Sequence, residues 1–168
     1  MIALVPMDAV AYEAFVRSSL PLYAAEKVAA GQWAPDEALT LSRQVHDELL
    51  PAGLATPGHH LYRLVMQADH PAGTPGGTQV GTLWIAEQLR GANRVAYMYD
   101  LFIEPAHRRQ GHALAAFTAL EAQVQALGLR GIALHVFGHN AAAQALYLRL
   151  GYHATNINMF KALAPAPT

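Results

Sequence analysis

The chain has 168 residues, 53% of them hydrophobic, and a formal net charge of −1 at pH 7. This composition fits one domain with a substantial core, and the near-neutral charge does not favour nucleic acid as a partner. The absence of cysteine excludes disulfides and a cysteine nucleophile. No apolar run approaches the roughly 20 residues of a membrane span, and residues 1–10 lack the basic segment of a targeting signal. We therefore expect a cytoplasmic protein with no membrane partner.

Segments with the apolar periodicity of regular structure follow one another through the first ninety residues. They are strands at residues 2–5, 60–67 and 78–88 and helices at residues 6–30 and 35–51. Pro21 is expected to bend or break the first helix, because proline has no amide hydrogen. The polar loop between the second and third strands is rich in proline and glycine, which favours a mobile turn.

The next predicted elements are a strand and a helix separated by a short loop. Residues 95–103 are aromatic and β-branched with almost no charge, as is typical of a strand buried on both faces, and Pro105 ends this run. Apolar residues at helical spacing then predict a helix over residues 114–127, which Gly128 ends.

The loop between that strand and that helix combines basic residues with Gly111. The first amides of a helix have no intrahelical partner and lie at the positive end of the helix dipole, so they form an anion site. Gly111 has no Cβ to hold a phosphate away from these amides, and Arg108 and Arg109 add positive charge. The loop therefore fits a diphosphate. An ordinary surface turn with arginines has the same composition, and the loop alone leaves both interpretations open.

A second strand and a last helix follow. Residues 131–137 predict a strand parallel to the one at residues 95–103, and residues 141–150 predict a helix that Gly151 ends. Asn140 is well placed as the N-cap of this helix, and Tyr147 lies about two turns further along the same face, roughly 10 Å away. One face of the helix therefore carries an amide and a phenol.

Two motifs in this half of the chain resemble those of one family, the GCN5-related N-acetyltransferases (GNAT), which bind acetyl-CoA. Residues 108–113, RRQGHA, resemble the pyrophosphate loop of that family, written R/Q-x-x-G-x-G/A, with Ala113 where glycine is commoner. The series from Asn140 to LGY at residues 150–152 resembles the segment that follows the next strand in the family. The resemblance is close in the C-terminal half of the chain and loose in the N-terminal half.

The resemblance implies a fold and a domain. The fold would be α+β, a three-layer α/β sandwich in which helices flank a mixed central sheet of about six to seven strands. A strand at residues 152–161 would complete the sheet. The domain would occupy residues 1–163, and residues 164–168 would form a disordered tail. Helices near the N-terminus would cover the acceptor end of a cleft, so the linker around Trp33 would help to define the acceptor.

The resemblance also implies an N-acetyltransferase that moves an acetyl group from acetyl-CoA directly to a primary amine of a small molecule, peptide or protein. Acetyl-CoA and the amine would be its partners, with no metal. Many relatives form homodimers, but the sequence marks no interface. The three serines lie in predicted helices without a nucleophile motif, so an acyl-enzyme is not expected. A non-catalytic CoA-binding module or sensor, and a transferase of longer acyl groups, stay open as alternatives.

By the same resemblance, three groups of residues would bind the cofactor. Backbone groups of one strand end would meet the pantetheine amides, the loop amides would bind the diphosphate, and an amide side chain would bond the cofactor arm. These residues are, in that order, Leu101, Phe102 and Ile103; Arg108, Arg109, Gln110, Gly111, His112 and Ala113; and Asn140. Tyr147 would point at the thioester sulfur, and its phenol, with a pKa of about 10, would be protonated at neutral pH and able to donate to the leaving thiolate.

Asp100 is the second candidate catalytic residue. It lies in sequence among tyrosines and Phe102, and an apolar environment raises the pKa of a carboxyl toward the range useful to a base. An ion pair with Arg94 is an equal structural alternative. The glutamate that many relatives use falls where this chain has Tyr97, so the base could also be a water molecule. His135 and His139 are four residues apart on a strand and a loop, which does not favour a metal site.

Overall fold

The structure is a computed structural model that describes residues 1–67, 77–159, 161 and 163. The strands are β1 (Ile2–Pro6), β2 (His59–Gln67), β3 (Gly77–Arg90), β4 (Asn93–Ile103) and β5 (Ile132–Leu134). The α-helices are α1 (Ala9–Ala29), α2 (Ala38–Leu49), α3 (His112–Ala126) and α4 (Ala141–Arg149). Single 3-10 turns lie at Gly53–Ala55 and Pro105–His107. The loop expected between β2 and β3 and the tail expected at residues 164–168 lie outside the described residues.

The strands form one mixed sheet in the order β1-β2-β3-β4-β5. β1, β2, β3 and β4 pair with one another in antiparallel fashion, and β5 is parallel to β4 because α3 carries the chain across the sheet. This confirms the predicted α+β fold with a mixed sheet between helices. The described part of the chain has five strands rather than six to seven.

The strand expected at residues 152–161 is the missing one. None of the described residues in this segment, 152–159 and 161, belongs to a strand. The apolar side chains of Ile157 and Met159 are 78% and 92% exposed. Forming a further strand would cost conformational entropy, and burial of apolar side chains is what normally compensates for that cost. These side chains are not buried.

β5 is also shorter than predicted, and the chain turns at residues 138–139. The side-chain amide of Gln144 donates to the carbonyls of Phe137 and Gly138, at 3.1 and 3.0 Å. The amide of Asn140 donates to the Phe137 carbonyl at 3.0 Å. These bonds pair the carbonyls of Phe137 and Gly138 outside the sheet, so the predicted strand does not extend to residue 137.

Pro21 does not end α1, which continues to Ala29. Pro21 lies on the exposed side of the helix, where water can satisfy the carbonyl that loses its partner. On the buried side, the Ser42 hydroxyl of α2 donates to the carbonyl of Leu20 at 2.8 Å. This contact joins α1 to α2 beside the proline.

No helix in the described ranges is long and apolar enough to cross a membrane.

The core has one cluster on each face of the sheet, since successive residues of β3 point to opposite sides. Leu83 and Ile85, both 0% exposed, pack with Phe117 and Leu120 of α3 on one face. Trp84 packs on the other face in a cluster that includes residues of α1 and α2. The sheet is therefore covered by α1 and α2 on one side and by α3 on the other.

Candidate active site

β4 and β5 pair over three residues only and separate beyond Met98, and we call the gap between them the β4–β5 cleft. The parallel pairs are Ala96 with Ile132, Tyr97 with Ala133 and Met98 with Leu134. β4 continues to Ile103, whereas the chain after Leu134 leaves the sheet, so in the described chain residues 99–103 have no strand beside them on this edge. Backbone groups on an unpaired edge can bond another molecule. Leu101 and Phe102, which we expect to contact a cofactor, lie in this segment.

A β-bulge in β4 sets the direction of the side chains where the cleft begins. The register with β3 shifts just beyond the pair of Trp84 and Asp100, which leaves Tyr99 as an extra residue. The rings of Tyr99 and Trp84 stack with their centroids 4.6 Å apart. Because Trp84 belongs to the core cluster beneath α1 and α2, the bulge turns Tyr99 toward that layer.

The backbone of the loop before α3 fits an anion. Arg109 and Gly111 have φ angles of 61° and 81°, and left-handed residues in such a loop turn amides toward a common side. Gly111 is the N-cap of α3 and has no side-chain acceptor, whereas Asp8 caps α1 and Asn140 caps α4. The first amides of α3 therefore keep their hydrogens for a bound anion. A Cβ at Gly111 would meet no atom within 4 Å, so the space before the helix is open.

The side chains of this loop mostly hold its shape. The Arg108 guanidinium lies 5.4 Å from the centre of the Phe102 ring, and its Nε donates to the Ile103 carbonyl at 3.0 Å. Nε2 of Gln110 donates to the Ala106 carbonyl at 3.1 Å. Nε2 of His112 is buried and has no hydrogen-bond partner among the residues that the structure describes. A buried imidazole nitrogen in this state fits a site that is completed by a ligand.

α4 begins at the predicted N-cap. Oδ1 of Asn140 accepts from the amide of Ala143 at 3.1 Å, which confirms the capping prediction and leaves the side-chain NH2 to donate elsewhere. Tyr147 is partly buried, with its ring 5.7 Å from that of Phe117 and 5.7 Å from that of Tyr152. Burial raises the pKa of Tyr147, and the negative charge of Asp100 raises it further.

Asp100 is a carboxyl with a raised pKa. Part of the residue reaches solvent, but the carboxyl itself is buried, and this burial raises its pKa to about 6. A hydrogen bond from the Thr82 side chain opposes the shift by favouring the charged form. The alternative partner Arg94 instead bonds Glu87, which also contacts His60. Asp100 is therefore not held in the structural ion pair that the sequence left open.

A group of aromatic and charged residues beside the cleft was not predicted from the sequence. Nζ of Lys27 lies 5.3, 5.4 and 5.7 Å from the ring centres of Tyr23, Trp33 and Phe137. Of this group, only Trp33, in the linker between α1 and α2, was expected from the sequence to help to define the acceptor. The others could not be assembled from sequence because Phe137 is more than one hundred residues away from α1.

Two histidines near the cleft, His135 and His139, contact neighbouring side chains. Nε2 of His139 lies 2.8 Å from Oε2 of Glu26 in α1. The His135 ring meets the Phe137 ring edge to face, with centroids 5.2 Å apart. Over residues 1–67 and 77–159 there is no group of three potential ligands arranged to hold a metal ion.

A model of the Acetyltransferase (GNAT) family matches residues 29–152, a range that exceeds half of the chain and contains both motifs. The chain belongs to the GNAT family. It is 36% identical over 162 residues to the uncharacterised N-acetyltransferase YycN of Bacillus subtilis (strain 168), covering 96% of this chain and 99% of YycN. It is 30% identical over 152 residues to the uncharacterised N-acetyltransferase YdgE of the same organism, covering 90% of this chain and 92% of YdgE. These relatives support an acyltransferase function for this GNAT protein.

Solved GNAT structures share the fold along nearly the whole chain. The crystal structure of YycN has a TM-score of 0.88 at 36% identity and covers 98% of this chain and 100% of its own. AAC(6')-Iy, solved in complex with the bisubstrate analogue CoA-S-monomethyl-acetylneamine, has a TM-score of 0.54 at 17% identity, with coverage of 98% and 99%. At that identity the second structure shows the shared fold alone. The similarity to YycN extends over residues that the family model does not match.

Proposed function

We propose that this GNAT protein transfers an acetyl group from acetyl-CoA directly to a primary amine. The observation that carries the proposal is that β4 leaves its pairing with β5 after Met98, and that the open edge carries Asp100, a carboxyl whose pKa is raised to about 6 by burial. The anion loop before α3 follows β4 directly, so the cleft and the loop suit the two ends of one elongated ligand. A non-catalytic CoA-binding module would need the anion loop but would not need Asp100 as a base or Tyr147 as an acid.

Different residues of the cleft and its loop would bind different parts of acetyl-CoA. Amides of residues 109–113 would hold the diphosphate, and the unpaired edge of β4 at Leu101, Phe102 and Ile103 would bond the pantetheine amides. The Ile103 carbonyl already accepts from Arg108, which leaves the other groups of this edge for the ligand. The Asn140 NH2 would donate to the cofactor arm. Acetyl-CoA supplies the activated acetyl group as a thioester.

Asp100 and Tyr147 have opposite roles in proton transfer. The amine attacks only when neutral, and a carboxyl with a pKa of about 6 is ionised above that pH and can accept its proton, directly or through water. Tyr147 stays protonated at neutral pH because its pKa is raised, so its hydroxyl can donate to the departing thiolate. The C–N bond forms as the C–S bond breaks, and the products are the amide and the free thiol.

Thiol release from acetyl-CoA, measured over a panel of primary amines, tests the proposal. Polyamines, aminoglycosides, amino acids and peptides form the panel, and thermal-shift binding of CoA is measured in parallel. We expect Tyr147→Phe to lower kcat by about 10²-fold with the best amine, since that is a typical contribution of a general acid. CoA binding should be unchanged, because the ring and its packing remain.

Tyr152→Phe is the matched control. Tyr152 packs against Tyr147 and Phe117, but its hydroxyl is buried without a partner among the described residues. This variant should keep the wild-type kcat. Wild-type kcat in Tyr147→Phe across every active amine would refute the role of Tyr147. Stabilisation by CoA without thiol release from any amine would instead favour a non-catalytic CoA-binding module.

A further inference from the structure

Lys27 occupies an unusual position for a lysine. Its ammonium lies among the rings of Tyr23, Trp33 and Phe137, at 5.3 to 5.7 Å from their centres. Nζ donates one hydrogen bond, at 2.8 Å, to Oε1 of Gln32. An ammonium has three donors, so two of them are available to another acceptor. The Tyr23 and Trp33 rings also pack edge to face at 5.4 Å, which fixes two walls of the site.

This group lies on the α1 side of the β4–β5 cleft. Phe137 comes three residues after the end of β5 and three before Asn140. Burial is the main cause that raises the pKa of Tyr97 in β4, and Tyr99 and then Tyr23 add smaller contributions in the same direction. The residues around Lys27 therefore extend from α1 to the segment that follows β5. β4 leaves its pairing with β5 immediately after Met98, next to Tyr99 and Asp100.

The charges around Lys27 are unbalanced. Among the described residues no carboxylate lies within ion-pair distance of Nζ, and the neighbouring Glu26 is bonded to His139. The second cation of this region, Arg90, lies over the Tyr97 ring at 5.2 Å. Burial lowers the pKa of Lys27, as is expected for an ammonium without a counter-charge. A partly buried ammonium with unused donors fits an anionic group of a ligand.

We propose that Lys27 selects amine acceptors that carry a carboxylate, such as free amino acids, by binding the carboxylate while the amine faces Asp100. The three rings hold the ammonium in place and contact the apolar part of the acceptor. This inference rests on the proposed function, since it names the acceptor class of the same reaction. Lys27 is thereby a specificity residue that touches the acceptor and takes no part in proton transfer.

Matched acceptors test this role. Each amino acid is compared with its decarboxylated amine and with its amide, and kcat/KM is measured from thiol release. The wild type should prefer the amino acid by about 10-fold to 100-fold, the range for a hydrogen-bonded charge pair. Lys27→Met keeps the length and apolar stem of the side chain and should lose this preference by raising KM for the amino acid. Its kcat/KM with the decarboxylated amine should change less than about twofold, since no charge pair is lost there.

Two further variants complete the experiment. Lys27→Arg keeps the charge and should keep much of the preference, whereas Lys161→Met removes the other lysine and should behave as the wild type. Thermal melting of each variant shows that it is folded. Thiol release without any preference for carboxylates, a preference that survives in Lys27→Met, or faster acetylation of diamines by Lys27→Met would overturn the role of Lys27 and leave the proposed function intact. No release from any amine would overturn both.

Discussion

Asp100 combines two requirements that conflict at the level of one residue, since a base must be charged and a buried carboxylate is costly. Burial raises its pKa to about 6, so the folded protein binds this proton more tightly than the unfolded chain does. The contribution of Asp100 to the free energy of unfolding therefore decreases as pH rises from about 4 to about 6. At neutral pH the ionised carboxylate opposes folding, and a role in function would explain its presence.

The activity of this residue should follow its protonation. We predict that kcat/KM rises with pH through a limb near pH 6 as Asp100 ionises, because only the carboxylate accepts a proton. Asp100→Asn should lose this limb and most of the activity, yet melt at the same temperature as the wild type or higher at pH 7.5. The pH profile is measured with one amine at subsaturating concentration. An unchanged limb in the variant would assign it to another group, such as the amine.

At the scale of elements, the glycines at the two ends of α3 allow an effect on folding stability to be separated from an effect on CoA binding. Gly111 precedes this helix and Gly128 follows it, with φ angles of 81° and 69°, and a Cβ at either would meet no atom within 4 Å. Alanine at either position should lower the free energy of unfolding by about 1 kcal/mol through backbone strain alone. Only Gly111→Ala should also weaken CoA binding, because its methyl group would occupy the space of the diphosphate.

Urea denaturation and thermal-shift titration with CoA measure the two effects separately. Gly128→Ala is the control, since it has the same strain at the opposite end of the helix. Equal CoA binding by both variants would show that the anion lies elsewhere. Weaker binding by both would attribute the change to stability and not to the loop.

Local signals in the sequence predicted the elements that they determine. Periodicity located α1, α2, α3 and α4, and side-chain chemistry located the Asn140 cap, whose Oδ1 bonds the Ala143 amide. The break that was expected as one outcome at Pro21 does not occur, because the effect of its missing hydrogen bond depends on whether the site faces solvent, which tertiary packing decides. The extra strand at residues 152–161 failed for a related reason. A strand there needs a neighbouring strand and buried side chains, but Ile157 and Met159 are exposed and none of the described residues of the segment pairs with the sheet.

The elements that carry the candidate site were predictable where its residues are close in sequence. Gly111, Asn140 and Tyr147 follow a spacing that a strand, a helix and a turn impose on the chain. The bulge at Tyr99 and the surroundings of Lys27 could not be predicted, because they depend on the register between strands and on contacts between α1 and the segment after β5. The residues expected to define the chemistry are thus local in sequence, whereas those proposed to define the acceptor are brought together by the fold.

On the scale of the whole molecule, an ion pair and a cation–π contact join α1 to the segment between β5 and α4. α1 reaches the segment between β5 and α4 through Glu26 with His139, at 2.8 Å, and through Lys27 with Phe137, at 5.7 Å. The side chains of His139 and Glu26 are 42% and 46% exposed, so water and salt screen their interaction. Opening this side of the cleft to admit an acceptor should therefore cost little.

A double-mutant cycle measures the strength of this connection. We predict that Glu26→Gln, His139→Gln and the double variant, compared by urea denaturation, give a coupling energy below about 1 kcal/mol, as is usual for exposed pairs. The coupling should decrease further in about 1 M salt, where charges are screened within about 3 Å. The exposed pair of Gln44 and Glu48 within α2, at 2.9 Å, is the control and should show a similar small value without joining two elements. A coupling above about 2 kcal/mol would mean that the pair is shielded from water, and that the acceptor must break a strong contact to enter.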